Sequence, residues 1–212
     1  MTPPLVILGA GGHARVLMEV ARRCGRTVAA ASGLEPARPA WLPDGVAYHA
    51  GNEAVRGYAP GAVELVNGLG SVGPTAARAR LFDLWKAAGY RFATLVHPAA
   101  AVALDGVALG EGVQVMAGAV VQPGCAIGDD CIVNTAAAID HDCRLGPHCH
   151  VAPGAVLSGG VSLGAGVHVG TGARIVQGLA VGDGAVIGAG AAVIRPVPAG
   201  RTAVGVPARI LP

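Results

Sequence analysis

Aromatic residues are scarce: Phe, Trp and Tyr together make up 3% of the 212 residues. A conventional globular core draws much of its buried area from such side chains, so a core made mostly of Ala, Val and Gly has to be thin and repetitive. Charged residues are few as well, at 13%, and nearly balanced at a formal +2. No run of Lys or Arg offers a nucleic-acid groove. Long apolar runs are missing too, although hydrophobic residues reach 52%. Gly, Pro and charged residues break each stretch before the roughly 20 residues of a membrane span, so no membrane insertion is expected. Leu5 to Leu8 is too short for a signal h-region and no basic segment precedes it, which makes the cytoplasm the expected compartment.

What the sequence has is a beat. From Leu109 to Val193 an aliphatic residue recurs every six positions, fifteen times without a slip, often followed by Gly. A period of six fits neither an α-helix nor a two-faced strand. It fits a chain that turns a corner every six residues, so that three short strands close one triangular coil of eighteen. Parallel coils of this period are left-handed in known proteins, against the usual crossover hand. Val96 and Val102 already keep the step, and one extra residue falls between Val102 and Leu109. The coil should end near Pro196, with Arg201 to Pro212 leaving the repeat.

The repeat also explains the cysteines. Counting each hexapeptide from its aliphatic residue, Cys125, Cys131, Cys143 and Cys149 all occupy position 5, elsewhere filled by Ala or Val. A free Cys behaves as a small hydrophobe, and no Cys-x-x-Cys exists, so packing is the expected role.

Residues 1–92 read as a separate α/β domain with a small, Rossmann-like parallel sheet. Strands are expected at Leu5–Leu8, Thr27–Ala31 and Ala62–Asn67, and helices over 14–24 and 74–88. The latter should turn Ala76, Ala77, Leu81, Leu84, Trp85 and Ala88 to the sheet. Residues 34–62 read as loop with one short helix near Asn52. Residues 93–212 form the β-helix domain.

Gly9-Ala10-Gly11-Gly12-His13-Ala14 satisfies a glycine-rich strand-to-helix fingerprint. A dinucleotide site also wants an acid about 20 residues on, and the first one here is Glu35, so NAD is not expected. A glycine-lined helix N-terminus still suits a diphosphate.

Chemistry interrupts the repeat in one segment, Val133 to Val151. His141 stands at position 3 of its hexapeptide, outside the inward positions, with Pro123 and Gly159 as column neighbours and Asp140 and Asp142 beside it. A His with an adjoining carboxylate suits general-base work. His150 and His168, eighteen apart, stack in one column. His148 is read as facing solvent. No spacing among the histidines matches a three-His zinc site of the β-helical carbonic anhydrases, so no metal is expected.

Taken together, Val-Ile-Leu-Gly-Ala-Gly-Gly-His-Ala at 6–14, Val-Asn-Thr at 133–135, Ile-Asp-His-Asp-Cys at 139–143, His150-Val151, Leu-Ser-Gly-Gly-Val at 157–161 and Gly-Val-Pro-Ala-Arg at 205–209 carry a resemblance. Over its whole length the chain resembles the sialic acid O-acetyltransferase / nucleotide-amino-sugar N-acetyltransferase family of hexapeptide-repeat enzymes. The resemblance implies a homotrimer with its sites between neighbouring coils, and direct acetyl transfer from acetyl-CoA to a nucleotide-linked amino sugar for surface glycan synthesis. It implies His141 as base, with Asp142 rather than Asp140 holding its tautomer. Gly9, Gly11, Gly12, His13 and Asn134 would contact the sugar nucleotide. His150 would lie near the acetyl group, and backbone N–H groups at Gly159 and Gly160 near the thioester oxygen. Gly188, Ala189 and Arg209 would bind coenzyme A. The family's paired Asp after the second strand is replaced here by Ser32-Gly33-Leu34-Glu35, which leaves the base open. Two rivals are O-acetylation of a sialic acid and a non-catalytic nucleotide-sugar scaffold.

Overall fold

The computed structural model describes residues 2–212. The apolar run Leu5–Leu8 (β1) is fully buried at the centre of a four-stranded parallel sheet. Helix Gly12–Arg23 (α1) leads to Val28–Gly33 (β2). Ala47–Ala50 (β3), absent from the expected strands, adds an edge beside β2. Half-exposed and set in a Pro- and Gly-rich stretch, it has no apolar alternation to announce it. After a 3₁₀ turn at Asn52–Gly57, Glu64–Asn67 (β4) pairs with the other side of β1. The order β3-β2-β1-β4 reverses next to β1, and in open parallel sheets that reversal leaves a crevice at the carboxyl ends of the strands.

Helix Ala76–Ala87 (α2) follows. It buries Arg78, Leu81, Phe82 and Trp85, while Leu84 is 51% exposed. The expected face is therefore rotated: Ala76, Ala77 and Leu84 look outward, and Arg78 looks in. Aliphatic periodicity cannot announce a buried arginine, because its burial depends on a partner elsewhere in the chain.

From Leu95–Val96 onward the chain is a triangular parallel β-helix of two-residue strands. Between Ala108 and Val193 each strand pairs with the one eighteen residues on, as Ile132–Val133 does with His150–Val151. Three faces result. The first runs from Leu95–Val96 to Thr202–Val204, the second from Ala101–Val102 to Ala192–Val193, and the third from Ala108–Leu109 to Ala180–Val181. The aliphatic column and the position-5 column, its four cysteines included, are buried together inside the prism. Each of those thiols donates to a carbonyl on the next coil, Cys125 Sγ to Asp140 O at 3.1 Å for example. The tail departs from expectation. Thr202–Val204 pairs in parallel with Val186–Ile187 and so adds a rung to the first face, and only Arg209–Ile210 turns antiparallel against it.

The α/β unit sits on the first face. Met116 and Ile132 of the coil share a buried cluster with Leu5, Ile7, Leu17 and Met18, so one apolar core crosses the junction. Beside it lies a polar bolt. Arg78 and Asp130 are 1% and 0% exposed, with Nη2 and Oδ1 2.7 Å apart. Arg78 also donates to Asp130 O, Asn67 O and Leu69 O, and Asn67 Nδ2 donates to Asp130 Oδ1 at 3.0 Å. His148 completes it, 3.1 Å from Asp130 Oδ2 and edge-on to Phe82. The expected solvent-facing placement of His148 is thus corrected: α2 covers that corner, and the side chain is 15% exposed.

Candidate active site

Two cavities open along the junction. The larger, about 740 Å³, lies between the loops after β1 and β4 and the first face of the coil. Gly11, Gly12, His13, Ser71, Asn134, His150 and His168 are among its walls. The second, about 390 Å³, is at the carboxyl ends of β1 and β2 and includes Gly9, Gly11, Gly33, Glu35, Tyr48 and Asn52. Gly11 and Leu69 belong to both, so the cavities adjoin.

The glycine-rich loop is shaped for close approach. Gly9 has φ +120°, and a Cβ there would meet the Gly68 carbonyl carbon at 3.1 Å. Helix α1 then begins with Gly11 as its N-cap, without a side-chain cap and without an acid in its first turn. Its first N–H groups are free for an anion.

His141 occupies a different corner, between the second and third faces, and does not line the larger cavity. Its Nδ1 is 2.8 Å from Asp142 Oδ2, while Asp140 Oδ1 accepts from the His141 backbone N–H. Asp142 is thus the ring's partner and Asp140 braces the turn. The bond to Asp142 raises the imidazole pKa above its ordinary value. With Nδ1–H committed to Asp142, Nε2 carries the lone pair. It points over Gly159, where a Cβ would come within 2.5 Å of Nε2. The space beside the imidazole exists because that residue is glycine.

The other expected residues divide. Gly160 N–H donates to His141 O at 2.8 Å within the coil ladder, so of the two expected donors only Gly159 N–H stays free. Gly188 N–H is likewise taken, by Ala203 O, and a Cβ on Gly188 would strike Val204. Its glycine is explained by packing under the last rung. Ala189 lies at the corner between the first and second faces, in the column of Thr135. Arg209 lines a separate cavity of about 210 Å³ near the end of the coil. His150 is 4% exposed, its Nδ1 meeting Ser71 Oγ and its Nε2 meeting Asn134 Nδ2. A single chain therefore does not bring His150, Gly159, Gly160, Gly188, Ala189 and Arg209 into one cavity. Ser71 and His168 were not expected at the site. Ser71 lies in a featureless loop, and the stacking of His168 under His150 was the only signal. No cluster of three or more metal-ligating side chains occurs among the described residues.

Solved structures share this architecture. PerB from Caulobacter crescentus, in complex with CoA and GDP-perosamine, is 38% identical over 100% of this chain and 99% of that one, with a TM-score of 0.89. The chain belongs to the hexapeptide-repeat family of nucleotide-amino-sugar N-acetyltransferases. The acetyltransferase domain of PglB from Neisseria gonorrhoeae, in complex with acetyl coenzyme A, is 34% identical with full coverage of both chains and a TM-score of 0.89. WeeI from Acinetobacter baumannii is 26% identical, covering 99% of this chain and 100% of that one, with a TM-score of 0.88. No family model and no curated protein matches the sequence. As an acetyltransferase of this family, the chain has a histidine–aspartate pair outside the larger junction cavity. No helix among the described residues is long and apolar enough to cross a membrane.

Proposed function

We propose that this acetyltransferase moves the acetyl group of acetyl-CoA directly onto the amine of a nucleotide-linked amino sugar, in the cytoplasm, with His141 as general base. The observation that carries this reading is the His141–Asp142 pair held over bare Gly159. The neutral amine attacks the thioester carbonyl and forms the C–N bond while His141 Nε2 takes the amine proton. Gly159 N–H is placed to donate to the developing oxyanion. Collapse breaks the C–S bond, and the imidazolium returns its proton to the CoA thiolate. The sugar nucleotide fits the adjoining cavities: base near Glu35 and Asn52, diphosphate over Gly11 and Gly12 at the α1 N-terminus, sugar toward His13 and Asn134. Arg209 suits a phosphate of coenzyme A.

The separation of His141 from that cavity supports a site completed by a second copy, in a C3 trimer of left-handed prisms. Residues 1–92 then act as a Rossmann-like nucleotide-sugar domain and 93–212 as the acyltransferase domain. Light scattering should give three times the chain mass; a stable monomer with full activity would remove the shared site.

The raised pKa of His141 has a kinetic sign. A base works deprotonated, so kcat/KM should fall as pH drops through that raised value. Asp142→Asn removes the bond that raises it. The acidic limb should move to lower pH and the plateau should drop. An unmoved limb would assign the ionisation elsewhere.

A further inference from the structure

Hydrogen bonds in the larger cavity fix two histidine tautomers in sequence. Asn134 Oδ1 accepts from Thr135 N–H at 2.8 Å. Its Nδ2 is therefore the atom 3.0 Å from His150 Nε2. An amide nitrogen only donates, so His150 Nε2 accepts and its ring proton lies on Nδ1. That proton goes to Ser71 Oγ at 2.8 Å, which leaves the serine proton for His168 Nδ1 at 3.3 Å. His168 must then carry its own proton on Nε2. The His168 side chain belongs to a residue 6% exposed on the cavity wall, and Nε2 meets no protein acceptor among the described residues.

A second, separate network sets the opposite polarity on His13. Gln114 Nε2 donates to Asn67 O at 2.9 Å, so Gln114 Oε1 faces His13 Nε2 at 2.8 Å and takes its proton. His13 Nδ1 is left as a lone pair on the wall of the same cavity. Burial holds these rings neutral. It lowers His13 to about 4, helped by Arg78, lowers His150 to about 3, and depresses His168 as well.

The wall thus offers one uncharged donor and one uncharged acceptor. A phosphate oxygen has no proton for the His13 lone pair, and an ammonium has no lone pair for the His168 N–H. A hydroxyl satisfies both; a neutral amine would too, but the reacting amine is the one assigned to His141. We propose that His168 and His13 read the ring hydroxyls of the sugar, His168 Nε2–H donating and His13 Nδ1 accepting, with Asn134, His150 and Ser71 as positioning residues that set the polarity. This rests on the reading that the substrate is a nucleotide-linked amino sugar.

The test pairs kinetics with proton positions. In His168→Ala, KM for the nucleotide-amino sugar turned over by the wild type should rise about 10- to 100-fold. The KM for acetyl-CoA and the Kd of the matching nucleoside diphosphate should stay within about threefold, since neither carries the sugar. His168→Gln, whose amide can place an N–H near the Nε2 position, should recover most of the loss. ¹⁵N spectra of the free full-length chain should show His168 and His13 protonated at Nε2 and His150 at Nδ1. Equal weakening of the nucleoside diphosphate, an unchanged sugar KM, or His168 protonated at Nδ1 would overturn the inference alone. Absence of wild-type turnover with GDP-, UDP- and dTDP-linked amino sugars would remove the enzymatic reading and this one with it.

Discussion

His141→Ala should lower kcat by about 10²–10⁴-fold, the range expected for loss of a general base, while the protein keeps its assembly and thermal midpoint. The fold loses little, because the ring is 53% exposed and its side-chain bond is to a still more exposed Asp142. Surface substitutions without buried partners rarely move stability by more than about 0.5 kcal/mol. His141→Asn should be as slow, since an amide fills the space without accepting a proton at neutral pH. Near-normal turnover in either variant would take the base role away from His141.

Asp130→Asn should be the most damaging conservative change outside the reaction, at about 3–5 kcal/mol, the usual effect of breaking a buried ion pair from one side. The substitution keeps size and tolerates the positive φ of 57° at this position. It leaves the Arg78 guanidinium buried with no counter-charge. Burial already lowers the Arg78 pKa, and Asp130 is the main group opposing that shift. The amide would also turn N–H groups toward Asn67 or His148, which now share the two carboxylate oxygens. Removing the cation as well, as in Arg78→Met with Asp130→Asn, should be less damaging than Asp130→Asn alone, because no charge is then left buried. Urea unfolding of the three proteins measures this; a loss below 1 kcal/mol for Asp130→Asn would mean water reaches the pair.

The coil was legible in sequence because each rung repeats the same local problem: one aliphatic residue inward, one small residue inward, one turn. Even the cysteines followed from their column. The tail was not legible. Thr202–Val204 breaks the period, because the last coil is two residues short, yet it returns to the same hydrogen-bond ladder, and a pattern search sees only the break. Arg78, Asp130 and His148 are hidden in the sequence for one shared reason. Each resembles a solvated side chain until α2 docks on the corner that holds the other two. The His141–Asp142 pair was legible because adjacent residues on a turn need no tertiary contact to meet. Ser71, seventy-nine residues before His150, depends entirely on the loop after β4 folding over the first face. Of the two glycines expected to bind the thioester oxygen, the coil ladder decides that only Gly159 has an N–H to give.

The central claim is acetyl transfer to a nucleotide-linked amine by a His141 base, and release of free CoA thiol tests it most directly. Acetyl-CoA should be offered with GDP-, UDP- and dTDP-linked 4-amino-4,6-dideoxy sugars in parallel, and with free sialic acid. Thiol should appear with at least one nucleotide-linked amine, not with sialic acid, and should fall to near background in His141→Ala. Release with sialic acid alone, or equal release by the alanine variant, would contradict the account.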